Sequence, residues 1–409
     1  MPKEVLIVGA GIGGLALAIA CQRQNIRATV LERADALSIV GAGIQLSPNA
    51  TRVLGYLGVW DTLVKDVVFP GKHRFVAWDT AEPLLVTPLG DTVAAAFGTP
   101  YAHAHRADLL RALQDALDER TRLVLDADVV SVGQAAERAF AVTRSGERYE
   151  ADALIGADGV RSFIREQLFT PQPPKHSGCM AWRGLTPAAD VADLGFAKDS
   201  YIWMGPRRSV VVYYVSGGTL LNWIGMGPSD GQTRESWTTQ GTVTEALDEF
   251  AEWHPMIRGL IERSAPPYKW ALYDREPLAD WVSGNIALMG DAAHAMLPYH
   301  AQGAGQSIED AWVLARALAL HQDTGAALNL YSTLRQPRTR QVQEASRAAE
   351  HLFHLHEPDE VARRNKRFSV AQTRIGDGFP PGQEWLFAYD AEAAATGADD
   401  EWRKLNWRA

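Results

Sequence analysis

Cysteine is nearly absent: Cys21 and Cys179 are the only two in 409 residues, and neither sits in a CxxC pair or a Cys/His ligand cluster. No disulfide framework and no structural zinc site are therefore expected. Positive charge is also in deficit, with a net charge of -9, which argues against a nucleic-acid partner because phosphate binding needs a basic surface. No apolar run approaches the roughly 20 residues of a membrane span. The first strand begins within a few residues of Met1, which leaves no room for a signal peptide, so cytoplasmic residence is expected. Repeats are absent, and low complexity is confined to the short tract AEAAATGADD at 391–400.

What is present is ordinary globular composition, 46% hydrophobic and 22% charged, in a chain long enough for two or three packed domains. Val5, Leu6, Ile7 and Val8 form an apolar run suited to a strand buried on both faces. Gly9, Gly11 and Gly14 follow at GxGxxG spacing, and an Ala/Leu-rich helix begins at Leu15. A second apolar run, 28–31, ends in Glu32, at the distance expected of a carboxylate that accepts hydrogen bonds from an adenosine ribose. A carboxylate there disfavours a 2′-phosphate, so FAD or NAD fits better than NADP. Cys21 falls on the buried side of this helix as a core residue.

Further along, 41–50 reads as a glycine-containing loop that either makes a second close approach to a ligand or is a plain connecting turn, with Asn49 and Thr51 as caps for the helix after it. Within 103–114, Asp108 is expected to cap a helix whose apolar face is Leu109, Leu110 and Leu113; Arg106 just before the cap either reaches a phosphate or ribityl chain or is a solvated surface charge. Short strands follow over 122–155, ending in Asp158 at the edge of a parallel sheet. Pro171, Pro173 and Pro174 mark a boundary. Strands are expected at 179–186, 200–204, 209–216 and 219–227, then helices at 244–252 and 255–263. The alternation of Val210, Val212 and Tyr214 with Val211, Tyr213 and Val215 predicts one sheet face over a cavity and the other on helices. A strand over 285–289 returns to the first domain, a long helix begins near Ser307, and the remainder through Trp407 is a helical covering layer.

Three separated segments, GAGIGG with Glu32, GADGVRS at 156–162 and GDAAHAMLP at 290–298, together resemble the single-component FAD-dependent aromatic hydroxylases of p-hydroxybenzoate hydroxylase type. The continuation through YHAQGAGQSIEDAWVLARAL is most similar to the salicylate hydroxylase and 6-hydroxynicotinate 3-monooxygenase branch. The resemblance implies an α/β fold. A Rossmann-like FAD-binding domain would be built from discontinuous segments, 1–170 and 285–325. A mostly antiparallel substrate sheet would span 171–284 and a C-terminal helical region 326–409. It also implies cofactor contacts from Gly9, Gly11, Gly13, Gly14, Glu32, Arg33, Gln45, Arg106, Val129, Asp158, Asp291, Gly303, Ala304 and Gly305. The N-terminus of the helix near Gln306 would stabilise charge developing on reduced flavin.

No second strand-GxGxxG-helix unit exists, so NADH or NADPH would dock transiently. Arg161 and Arg165 would meet its phosphates, or else serve as helix-surface arginines. Hydroxylation through a flavin hydroperoxide is electrophilic, so the site wants a base near a phenol and an anchor for a carboxylate. The resemblance places Tyr299, His300 and Tyr213 as catalytic candidates and Gln45, Arg183, Tyr213, Pro298 and Tyr299 around the substrate. Tyr213 and Arg183 equally fit packing roles, His300 an exposed loop, and His294 a structural partner of the flavin loop. Tyr at 299 and Gln at 45 depart from relatives that carry His. The implied function is hydroxylation of a small phenolic or aromatic carboxylic acid with NAD(P)H and O2 by a monomer or homodimer. The alternatives are 6-hydroxynicotinate 3-monooxygenase or 3-hydroxybenzoate 6-hydroxylase activity, or a non-catalytic flavin sensor. No WxWxIP halogenase motif is present.

Overall fold

The buried run Glu4–Val8 is the centre of a six-stranded sheet. In this computed structural model, which describes residues 3–37, 41–170, 172–229, 239–375 and 383–397, that strand pairs in parallel with Arg27–Leu31 on one side and Ala153–Gly156 on the other. Thr121–Val124 extends one edge and Ile286–Leu288 the other, both in parallel, and Val282–Ser283 closes the second edge antiparallel. The chain thus leaves this sheet after Gly156 and rejoins it at Val282. That interruption is what lets two distant helices, Ile12–Arg23 (the glycine helix) and Gly303–Leu320 (the loop helix), pack on each other. The glycine helix is apolar all round, with Gly14 through Gln22 buried, as a helix between layers must be.

A seven-stranded, mostly antiparallel sheet forms the second layer. Its longest strand, Lys175–Pro187, lies next to one edge, between Leu220–Pro228 and the edge strand Tyr268–Asp274. The expected alternation holds. Val210 and Val212 join Trp223, Phe250 and Leu260 in a core beneath the helices Val243–Glu249 and Pro255–Glu262, whereas Val211 and Tyr213 face a cavity. One edge of this sheet comes from outside the expected span, since Lys72–Ala77 pairs in parallel with Ser200–Gly205 and carries Pro83–Pro88 beside it. Local motifs in 72–88 could not reveal a partner more than a hundred residues away.

Several local expectations change. Residues 41–50 are not a loop: Gly43–Leu46 is a strand and Pro48–Leu57 a helix whose N-cap is Ser47. Asn49 and Thr51 lie inside that helix, and Thr51 Oγ1 donates to Pro100 O at 2.8 Å. The helix expected to follow a cap at Asp108 is Arg106–Asp115, so Asp108 sits in its first turn instead of capping it, and the strand Ala102–His105 precedes it. The loop helix starts at Gly303, one turn earlier than expected. Thr324–Phe353 (the long helix) and Pro358–Ile375 (the rim helix) supply the covering layer. Pro171 and the tail through Trp407 lie outside the described residues.

Candidate active site

The glycine turn is shaped by contact on one side and open on the other. A Cβ on Gly14 would meet the carbonyl oxygen of Gly9 at 1.9 Å, so only glycine lets the helix close on the first strand. At Gly11 a Cβ would meet nothing within 4 Å, because the N-terminus of the glycine helix faces the cavity. Glu32 stands at the end of Arg27–Leu31, its carboxylate accepting from Ala10 N at 2.8 Å and Ala34 N at 3.0 Å, which ties it to the glycine turn. Neither the glycine helix nor the loop helix carries an acid in its first turn, so the positive ends of both remain available to a negatively charged group. This geometry fits a dinucleotide: an open backbone cradle, an anchored carboxylate and two helix N-termini.

The cradle runs into a cavity of 1470 Å³. Gly11, Gly13, Arg106, Asp291, Gly303 and Ala304 line one end. The N–H groups of Gly303, Ala304 and Gly305 are the first of the loop helix, which Gln306 N closes by bonding to Gln302 O at 2.8 Å. Arg106 is held below the usual guanidinium range by burial, with Asp291 as the opposing charge that acts on it.

The other end is aromatic and apolar. Arg183 lies with its guanidinium 3.9 Å from the centroid of Trp270, and burial lowers it to about 9. Tyr213 packs so tightly on Gly43, which also lines the cavity, that a Cβ there would lie 2.5 Å from its ring. Burial raises the Tyr213 phenol, and Arg183 is the cation that offsets it. Gln45 Oε1 accepts from the Tyr101 hydroxyl at 2.5 Å. Pro298, Tyr299 and His300 form one 3-10 turn on the cavity wall. Burial lowers His300, partly offset by a backbone bond to Ala345, so its ring is neutral at pH 7. The Tyr299 ring lines the cavity, but its hydroxyl lies beside Cys179 and Glu350, and burial with those neighbours raises its pKa far above the normal phenol value.

Other expected residues fall elsewhere. Asp158 turns back to its own segment, with Oδ2 accepting from Ile164 N at 3.2 Å, and its neighbours Ala157 and Gly159 line the cavity in its place. Arg165 is buried and donates to the carbonyls of Ala292 and Ala293 at 3.0 and 2.9 Å, so it braces the segment 290–298 in place of the expected exposed position. Gly9, Gly14, Glu32, Arg33, Val129 and Gly305 lie outside the cavity lining; Val129 opens a strand of the small antiparallel sheet Val129–Ala151.

Two groups escaped the sequence reading. The first is His73, Tyr101 and His103, packed edge-on against one another beside Gln45 and Tyr213, with the His103 and Tyr213 ring centroids 4.4 Å apart. Its signal was the alternation Tyr101, His103, His105, in a stretch where no strand was expected. The second is a buried ionic cluster under the loop helix. Arg335 donates to Glu309 at 2.5 Å and Asp310 at 2.7 Å, and Arg338 donates to Glu309 at 2.7 Å. His294 Nε2 lies 2.6 Å from Asp310 and Asn49 Nδ2 donates to Glu309 at 2.6 Å. The cluster therefore ties His294, the loop helix and the long helix together.

A two-layer fold with a dinucleotide cradle opening into an aromatic cavity defines a flavin-type oxidoreductase. The chain belongs to the FAD binding domain family, which matches residues 3–346, and FAD is its cofactor. It is 34% identical to 3-amino-4-hydroxybenzoate 2-monooxygenase of Streptomyces cremeus, with 95% of each chain covered. It is 35% identical to 3-hydroxybenzoate 6-hydroxylase 1 of Aquipseudomonas alcaligenes over 87% of this chain and 90% of that one. Among solved structures, a salicylate hydroxylase substrate complex superposes with a TM-score of 0.81 at 26% identity, covering 97% of this chain and 98% of the other. These relatives are aromatic monooxygenases. Among the described residues no helix is long and apolar enough to cross a membrane.

Proposed function

We propose that this protein is an FAD-dependent monooxygenase that hydroxylates a small phenolic or aromatic carboxylic acid, using NAD(P)H and O2, in the manner of salicylate hydroxylase. The observation that carries the substrate class is Arg183. A buried guanidinium stacked on Trp270 and facing Tyr213 is built to pair with a carboxylate, and Phe75, Ile202, Val211 and Met226 offer a ring-sized apolar wall around it.

Bound FAD would supply the redox chemistry, accepting hydride from NAD(P)H and activating oxygen. Glu32 would hold the adenosine ribose, Val129 the adenine, and Arg106 and Asp291 the middle of the cofactor. The N–H groups of Gly303, Ala304 and Gly305 would stabilise negative charge on the flavin pyrimidine edge. Arg183 would hold the substrate carboxylate, Tyr213 would hydrogen-bond its hydroxyl, and neutral His300 would accept the phenolic proton. Tyr299 serves better as a wall, because its phenol stays protonated beside Glu350. The glycine-turn segments and the rejoining strand would form the FAD domain, and the seven-stranded sheet the substrate roof.

The test is oxygen and NADH consumption by the FAD-loaded protein across salicylate, 3-hydroxybenzoate, 3-amino-4-hydroxybenzoate and 6-hydroxynicotinate, repeated with NADPH, with products identified by mass. An acid that stimulates both and gains one oxygen atom is the expected result. FAD binding with no stimulation by any acid would favour a non-catalytic flavin protein.

A further inference from the structure

Behind Tyr299, on the side away from the cavity, three potential metal-ligating side chains meet. Cys179, Glu350 and His354 each offer a ligand atom, and these atoms all lie within 4.8 Å of one another. Their convergence has local causes. Glu350 and His354 are four residues apart at the end of the long helix, so they share one face, the spacing by which helices present paired metal ligands. Cys179 comes from the strand Lys175–Pro187 where its register against Tyr268–Asp274 shifts between His176 and Met180, next to Gly178 at φ 87°. An irregularity of this kind re-aims side chains. The His354 ring is fixed from outside by Ser209, whose Oγ lies 3.0 Å from Nε2.

We infer that Cys179, Glu350 and His354 form a site for one divalent zinc-type cation, with a fourth position left open beside the Tyr299 hydroxyl. A thiolate, an imidazole and a carboxylate are the donor set that favours zinc over magnesium or calcium. Tetrahedral zinc holds such donors roughly 3.3–3.8 Å apart, given bond lengths of about 2.0–2.3 Å, so side-chain adjustments of about 1 Å complete the site. The imidazole is already in its ligating, neutral form, since burial lowers it to about 4. Burial and Glu350 push the Cys179 thiol up to about 12, and the Glu350 carboxyl is raised as well, so coordination would release protons. Arg208, the cation acting on His354, is itself engaged by Glu249 at 2.6 Å. Cys179 and Glu350 are 171 positions apart, beyond the reach of any spacing motif.

On the reading above, the ion would act as an inhibitor. It would take the neighbours of the Tyr299 hydroxyl and fix the strand to the long helix directly behind the substrate wall.

The test begins with FAD-loaded protein treated with chelator and then titrated with Co2+ as a zinc surrogate. A thiolate-to-cobalt charge-transfer band saturating at one equivalent is expected, with binding weakened at least tenfold in His354→Ala and Glu350→Gln. An equally strong band in both variants, or none in wild type, overturns the site. A second measurement needs no variant. Cys21 is fully buried, so a thiol reagent acting on the folded protein reads Cys179. Zinc at one equivalent should slow that labelling at least tenfold, and labelling unchanged by zinc overturns the inference independently of whether any aromatic acid is hydroxylated.

Discussion

At the scale of single residues, two glycines of the same motif are held for opposite reasons, and they separate folding from binding. Gly14→Ala drives a Cβ into the Gly9 carbonyl and should cost roughly 1–3 kcal/mol or more, lowering the melting temperature of the FAD-free protein. Gly11→Leu places its side chain in open space, so the FAD-free protein should melt normally while flavin content falls to near zero. If Gly11→Leu retains FAD, the cradle is misassigned. Tyr213→Phe tests the substrate end: removing the hydroxyl opposite Arg183 should leave flavin reduction intact and raise the peroxide released per NADH consumed. Unaltered coupling would make Tyr213 a packing residue on Gly43. The motif residues were legible because glycine spacing and an acid at the end of the next strand have direct physical meanings. Arg165 was not, because a helix-surface arginine and one buried against two carbonyls share the same sequence pattern.

At the scale of elements, the loop helix depends on an ionic cluster that periodicity does not reveal. Glu309, Asp310, Arg335 and Arg338 are all buried, and each carboxylate is met by more than one donor. Arg335→Met leaves two buried carboxylates short of a partner and should destabilise the protein by about 3–5 kcal/mol, read as a fall in melting temperature with disordering of the 290–306 loop and weaker FAD binding. An unchanged melting temperature would show that the cluster is dispensable. Four of the seven strands in the mostly antiparallel sheet were legible from alternation, whereas Lys72–Ala77, Pro83–Pro88 and Tyr268–Asp274 were not. Helix caps were not: Asn49 looked like a cap and is instead a buried tie to Glu309, because capping and core hydrogen bonding draw on the same side chains.

At the scale of the molecule, charge and acidity set two further expectations. The rim helix brings Arg363, Lys366, Arg367 and Arg374 to the cavity lining of a protein whose net charge is -9. Cations gathered at the mouth of a cleft draw in anions. Lys366→Glu with Arg367→Glu should raise the KM for an aromatic acid about threefold or more while leaving kcat unchanged, and added salt should shrink the difference. A salt-independent KM equal to wild type would remove the rim helix from substrate capture. Acid stability follows from the buried histidines. Burial lowers His73 to about 4 and holds His103 well below the usual imidazole value, so the folded state takes up protons later than the unfolded chain does at about 6.5. Their contribution is complete above about pH 6.5 and disappears as pH falls towards 4, with His73 alone accounting for up to about 3 kcal/mol. Melting temperature should therefore drop over that window, and His73→Gln should flatten the drop.

Among the described residues the strand Lys72–Ala77 pairs only with Pro83–Pro88 and with Ser200–Gly205. During synthesis it emerges long before its parallel partner, a delay of roughly 6–25 s at ribosomal speeds of about 5–20 residues per second. Throughout that interval a two-stranded ribbon carrying Phe75, Val76 and Leu85 waits with one edge unpaired, and such edges invite pairing with another chain. The nascent protein is therefore most exposed to misassembly midway through translation, before any catalytic cavity exists.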